Sequence, residues 1–168
     1  MKHVILMGFM GCGKSTVGVR LSYKLQKAFL DTDNLIEKME GMPISNIFDT
    51  YGEAYFREKE TEVLAALKQE KADRIISLGG GTPLREENRS ILKELGTVVY
   101  LKVSADTVYE RLKGDTTRPL LQGENPKQKI EQLLEQRSGI YESAADVIIC
   151  GDGKTHEEVI SEIMEAVQ

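Results

Sequence analysis

The sequence predicts an α/β fold: a three-layer sandwich with a central sheet of five parallel strands and helices on both faces. Three observations carry this. Five short apolar or β-prone runs alternate with stretches of helical periodicity. The first run leads directly into Gly8-Phe9-Met10-Gly11-Cys12-Gly13-Lys14-Ser15, and a helical pattern follows it. The length, 168 residues, suits one domain with a sizeable core.

The elements follow in order. His3 to Met7 is apolar throughout, as a buried parallel strand requires. After the glycine loop, Val17, Leu21 and Leu25 recur at helical spacing, with Gly18 on the packing side. Ala28-Phe29-Leu30 is a short strand ending in Asp31-Thr32-Asp33. Leu35, Ile36 and Met39 mark a helix that Gly41 closes. Pro43 opens another helical piece with Ile44, Ile47 and Phe48 apolar, and Gly52 breaks it. Glu53 to Glu70 reads as a longer helix with Phe56, Val63, Leu64 and Leu67 on one face.

Ile75 to Leu78 is the third strand, ending in Gly79-Gly80-Gly81. Thr82 and Pro83 are expected as N-cap and first position of a helix that runs to about Leu95. Val98 to Val103 is a strongly β-prone strand. A helix follows from about Ala105 to Lys113. Gly114 to Gly123 is polar, with Thr116-Thr117-Arg118-Pro119 at its centre. Pro126 starts a helix with Ile130, Leu133, Leu134 and Tyr141 on one face. Val147 to Cys150 is the fifth strand, Gly151-Asp152-Gly153 a turn, and Val159, Ile160, Ile163 and Val167 mark the last helix.

Net charge is −5 with no long basic run, which argues against nucleic acid as the main partner. No apolar run approaches membrane-spanning length, so no membrane partner is expected. The chain runs from its N-terminus straight into the first strand, so a cytoplasmic protein without a signal peptide is expected. Cys12 and Cys150 stand far apart, which fits a reducing compartment and no disulfide framework. No surface stripe stands out as an interface, and a monomer is expected.

The chemistry starts at Gly8 to Ser15, which matches G-x-x-x-x-G-K-[ST] at every fixed position. The glycines let the backbone turn its N–H groups onto an anion. Lys14 adds a charge for the outer phosphates, and the Ser15 hydroxyl can ligate Mg²⁺. The next helix points its positive end at the same place. A nucleoside triphosphate with Mg²⁺ is therefore the predicted ligand. In parallel sheets ligands bind beyond the carboxyl ends of the strands. Asp31, Asp33 and Gly79 to Gly81 all follow strands, so they should line one crevice with the loop.

Alternation along an extended segment would put Asp31 and Asp33 on one side, able to hold Mg²⁺ through water and a substrate hydroxyl. The alternative for Asp33 is a helix N-cap. No acid ends Val98 to Val103, which leaves Asp31 as the candidate metal acid. Three consecutive glycines suggest close backbone approach to a ligand, where one would suffice for a turn. Arg137 falls on the apolar stripe of its helix and Arg57 borders that of its own. The pair could clamp a substrate carboxylate, or each could lie along the surface with its head in water or sit in an internal salt bridge. The Gly114 to Gly123 segment reads as a lid that brings Arg118 onto the transferring phosphoryl group; a surface loop would explain its polarity but not the Thr-Arg-Pro core.

Together these residues resemble the shikimate kinase family, of the nucleoside-monophosphate-kinase-like phosphate-loop fold group, over nearly the whole chain. The resemblance rests on Gly8 to Thr16, Leu30 to Asp33, Gly52-Glu53 with Phe56-Arg57, Ser77 to Gly81, Thr117 to Leu121, and Arg137 with Tyr141. It implies ATP- and Mg²⁺-dependent phosphorylation of the 3-hydroxyl of shikimate, on the route to chorismate and the aromatic amino acids. It implies one kinase domain over residues 1–168, with a substrate-binding helical region at about 32–60 and a lid at about 114–124. Lys14, Asp33 and Arg118 would be catalytic. Asp33, Arg57, Gly79, Gly80, Gly81 and Arg137 would hold shikimate. Gly11, Cys12, Gly13, Lys14, Ser15, Thr16, Arg118 and Lys154 would hold the nucleotide, with Ser15 and Asp31 serving the metal. Lys154 stands where an arginine borders adenine in similar enzymes. Cys12 stands where a serine is frequent, and its place at a helix N-terminus predicts a reactive thiol.

Read from the residues alone, two alternatives stay open. One is another small-molecule kinase of this fold, for gluconate or a nucleoside monophosphate. The other is a nucleotide-binding regulator without catalysis.

Overall fold

Every residue of β1 (His3–Met7) is buried. A strand with no exposed face needs cover on both sides, and the continuous apolar run supplies the surface for it. The computed structural model describes residues 2–115 and 123–167. In it β1 lies between β3 (Arg74–Ser77) and β4 (Gly96–Lys102). Beyond β3 lies β2 (Ala28–Asp31), and beyond β4 lies β5 (Val147–Cys150). The sheet is parallel throughout, in the order β2-β3-β1-β4-β5. Ile5 is level with Ile76 on one side and Val98 on the other, and all three are fully buried at the centre of the core.

Helices fill both faces. α1 (Lys14–Leu25) packs on β2 and β3 and against α8 (His156–Val167). Gly18 makes the close approach of α1 possible, since a methyl there would stand 2.3 Å from the Phe29 ring. α5 (Glu86–Leu95) and α7 (Pro126–Ala144) pack on β4, and α6 (Ala105–Leu112) packs on α7. α2 (Thr32–Glu40), α3 (Ile44–Tyr51) and α4 (Glu53–Leu67) follow β2 and pack on one another, walling the carboxyl end of that half of the sheet.

The α/β class and the five parallel strands are as expected, but several element boundaries differ, three of them for a visible reason. The helix expected from Thr82 is split: Thr82–Leu84 forms a 3₁₀ turn, Arg85 is extended, and α5 starts at Glu86. Thr82 lies inside the turn rather than capping α5, and its hydroxyl donates to Glu60 Oε2. α4 ends at Leu67 rather than Glu70, because Lys68, Gln69 and Glu70 donate three residues back, to Ala65, Ala66 and Leu67, and tighten the last turn. β4 begins at Gly96, where a methyl would stand 2.0 Å from the His3 carbonyl oxygen.

The strand order explains the site. From β1 the chain crosses to β2 on one side of the sheet, and from β3 it crosses back past β1 to β4, so the connections reverse direction and a crevice opens at the carboxyl end of β1. The ends of β1, β3 and β2 are neighbours there. They carry the phosphate loop, the three glycines and Asp31.

Candidate active site

The phosphate loop has the backbone its glycines permit. Gly11 (φ 76°) and Gly13 (φ 97°) are left-handed, and α1 starts at Lys14. The Cys12 N–H donates to the Phe9 carbonyl at 3.2 Å and closes the turn. In the first turn of α1, the N–H groups of Lys14, Ser15 and Thr16 have no carbonyl four residues back within the helix, which leaves them for an anion. Lys14 Nζ donates to the Gly8 and Phe9 carbonyls at 2.7 and 3.2 Å, on the inner rim of the loop. From α6, Arg111 donates to the Gly11 carbonyl at 3.0 Å and pins the outer rim.

A cavity of about 650 Å³ extends from this loop to the three glycines. Gly11, Gly13, Lys14, Ser15 and Thr16 line its phosphate end. Asp31, Asp33, Arg57, Gly79, Gly80, Gly81 and Arg137 line the rest. Two expected residues are not among its lining. Cys12 is 5% exposed, and its thiol sits behind the loop, 3.7 Å from Lys14 Nζ. Only its backbone serves the loop, and the accessible thiol is Cys150. Lys154 pairs with Glu162 on α8 at 2.7 Å. The side chains beside Gly13 are Arg111 and His156 instead: a methyl on Gly13 would lie 3.5 and 3.6 Å from their nitrogens. Arg118 and most of the expected lid at 114–124 lie outside the described residues.

Asp31 and Asp33 share the cavity for a different reason than expected. The chain is extended at Asp31 (φ −113°, ψ 122°) and helical from Thr32. Asp31 caps α2, accepting from the Asn34 N–H at 3.1 Å, and Asp33 lies in the first turn. Burial pushes the Asp33 carboxyl up to about 6; the charges of Asp31, Glu60 and Glu37 add to this, and Lys14 opposes it. Asp33 Oδ1 is buried with no hydrogen-bond partner among the described residues. An acid with such an affinity and a vacant acceptor atom is suited to taking a proton from a hydroxyl.

Gly79 and Gly81 each make room for a side chain, and Gly80 lies in ordinary contact with a third. A methyl on Gly79 would stand 2.6 Å from Asp33 Oδ1. On Gly80 it would lie 3.6 Å from Arg137 Nη1, and on Gly81 2.6 Å from Arg57 Nη1. The triple glycine is therefore the surface on which the acid and both arginines converge.

Arg57 donates to Glu60 Oε1 at 2.7 Å and to Glu53 Oε1 at 3.3 Å. Burial alone would lower its proton affinity, but hydrogen bonds and charge from Glu60 and Glu53 outweigh it and fix the positive charge. Glu53 is 70% exposed, so its pairing with Arg57 is weak. Arg137, on α7, holds its guanidinium over the Phe9 ring, 5.7 Å from its centre.

Glu60 is the residue the sequence reading missed. It is 1% exposed, lines the cavity, and bridges Arg57 to Thr82. A signal was present. Glu60 stands four residues after Phe56 and four before Leu64, on the apolar stripe of α4. A carboxylate there needs a partner, and Arg57 lies one turn away.

The family model described as shikimate kinase matches residues 10–168. A shikimate kinase of Thermodesulfovibrio yellowstonii is 44% identical over 98% of this chain and 94% of its own. A shikimate kinase from Acinetobacter baumannii, solved in complex with shikimate, superposes with a TM-score of 0.91 at 38% identity, over 99% of this chain and 93% of its own. The Aquifex aeolicus shikimate kinase gives a TM-score of 0.84 at 41% identity, over 98% and 95% of the two chains. The chain belongs to the shikimate kinase family.

Proposed function

We infer that this chain transfers the γ-phosphoryl group of ATP to the 3-hydroxyl of shikimate, giving shikimate 3-phosphate and ADP. The observation that carries the reading is the convergence of Asp33, Arg57 and Arg137 on the three glycines, in one cavity with the phosphate loop. Family membership narrows the acceptor to one hydroxylated ring acid.

Phosphoryl transfer asks a protein for position and charge more than for covalent chemistry. The amides of α1's first turn hold the β- and γ-phosphates, and Lys14 swings from the Gly8 and Phe9 carbonyls to the γ-phosphate. Arg57 and Arg137 hold the shikimate carboxylate against Gly80 and Gly81. That leaves the ring hydroxyls beside Asp33, whose vacant Oδ1 orients the attacking oxygen and accepts its proton. Mg²⁺ fits the donors on the phosphate side. The Ser15 hydroxyl would ligate it directly and the Asp31 carboxylate through water. When bound, Mg²⁺ draws negative charge off the transferring group.

The test is ADP release from MgATP, measured with no acceptor and with shikimate, gluconate or a panel of nucleoside monophosphates. Release with shikimate alone is expected. Release with another acceptor overturns the assigned substrate, and binding without acceptor-dependent release overturns catalysis.

A further inference from the structure

We propose that Thr82 and Tyr141 are positioning residues that set the spacing of Arg57 and Arg137, each by tying one arginine's helix to the turn at residues 79–84. The proposal rests on the reading that both arginines hold the substrate carboxylate. Neither Thr82 nor Tyr141 lines the cavity, so neither acts by touching substrate.

On the α4 side the tie runs through Glu60. Thr82 donates its hydroxyl hydrogen to Oε2, while Oε1 accepts from Arg57 Nη1 at 2.7 Å. Both carboxylate oxygens are thus assigned, and the guanidinium is held in one orientation. Thr82 is itself fixed: Asn88 Nδ2 donates to its carbonyl at 2.9 Å, and Asn88 Oδ1 accepts from Thr61 at 2.7 Å. Take away the Thr82 hydroxyl and Oε2 is left buried without a donor. The carboxylate then turns toward Arg57 and carries the guanidinium with it.

On the α7 side the tie is direct. Tyr141 donates to the Gly80 carbonyl at 2.6 Å, and its ring is fully buried against Tyr100, centre to centre 5.1 Å. Arg137 lies one turn earlier on the same face of the helix. A methyl on Gly80 would meet Arg137 Nη1 at 3.6 Å and the Tyr141 oxygen at 3.8 Å. One helix therefore carries the arginine and also anchors the backbone it faces. The two ties meet on a turn whose glycines would otherwise leave it loose.

The test compares steady-state kinetics of Tyr141→Phe, Thr82→Val and Thr82→Ser with Arg57→Ala and Arg137→Ala, alongside thermal midpoints. The hydrogen bond lost in Tyr141→Phe or Thr82→Val should raise KM for shikimate about five- to tenfold. KM for ATP should stay within about twofold, and Thr82→Ser should restore the wild-type KM. A lowered midpoint with KM for shikimate unchanged would mean a purely structural role and overturns the proposal. If the arginine variants raise KM while Thr82→Val and Tyr141→Phe do not, the proposal fails and the clamp stands. If the arginine variants leave KM unchanged, the clamp fails and takes the proposal with it. Tyr141→Phe keeps the buried ring and decides the matter alone should Thr82→Val not fold.

Discussion

A methyl group on Gly81 would stand 2.6 Å from Nη1 of Arg57. The guanidinium therefore occupies the space that any other residue at position 81 would fill. The Gly81 backbone is in the right-handed region (φ −92°, ψ −7°), so alanine meets no strain there. Gly81→Ala should lower stability by about 1–3 kcal/mol, since displacing the guanidinium disturbs its ion pair with the buried Glu60 carboxylate. It should displace Arg57, and KM for shikimate should rise about tenfold with KM for ATP unchanged. Steady-state kinetics with a thermal melt checks both halves. An unchanged KM for shikimate would count against Arg57 as a carboxylate ligand.

Asp33 carries a cost as well as a function. Its carboxyl is pushed up to about 6 in the folded chain, from 3.8, chiefly by burial. Below pH 4 it is protonated whether folded or not, and the stability it contributes is fully present. As pH rises through 6 that contribution is lost, because the charged form is disfavoured only in the fold. Asp33→Asn should abolish turnover, yet in metal-free protein at pH 8 it should be the more stable by about 2–3 kcal/mol. The advantage should vanish toward pH 4. Denaturant melts across that range measure it, and equal stability at pH 8 would contradict the assigned burial.

The two thiols should behave differently. Cys12 is buried behind the phosphate loop and Cys150 is exposed at the end of β5. A chromogenic disulfide reagent should titrate one thiol rapidly and a second only on denaturation. Activity should survive the first event, since Cys150 is not among the residues that line the cavity. Rapid loss of activity that ATP prevents would mean that the Cys12 thiol is accessible after all.

Much of this was legible in the sequence because the elements are strongly patterned. The continuous apolar run of β1 and the glycine–lysine–serine loop fix the strand–loop–helix unit wherever they occur. The alternation of strands and helices then fixes the class and aligns the strand ends. Less legible were features set by side chains from distant elements. Thr82 looks like a helix cap, but it sits inside a 3₁₀ turn and donates its hydroxyl to Glu60, 22 residues earlier. Asp31 and Asp33 look like alternating strand residues until the chain coils at Thr32. The glycines suggested close approach to a ligand, whereas Gly79 and Gly81 first make room for Asp33 and Arg57. Cys12 sits at a helix N-terminus, as an activated thiol would, but the curl of the loop turns its side chain inward.

The central claim is that Arg57 and Arg137 hold the acceptor by its carboxylate, beside Asp33. Calorimetric titration of shikimate and of its methyl ester into the wild-type protein addresses it most directly, because the ester keeps the ring and every hydroxyl and lacks only the charge. Two charge-assisted contacts predict that the ester binds on the order of 100-fold more weakly or not at all. Equal affinity for acid and ester would contradict the clamp.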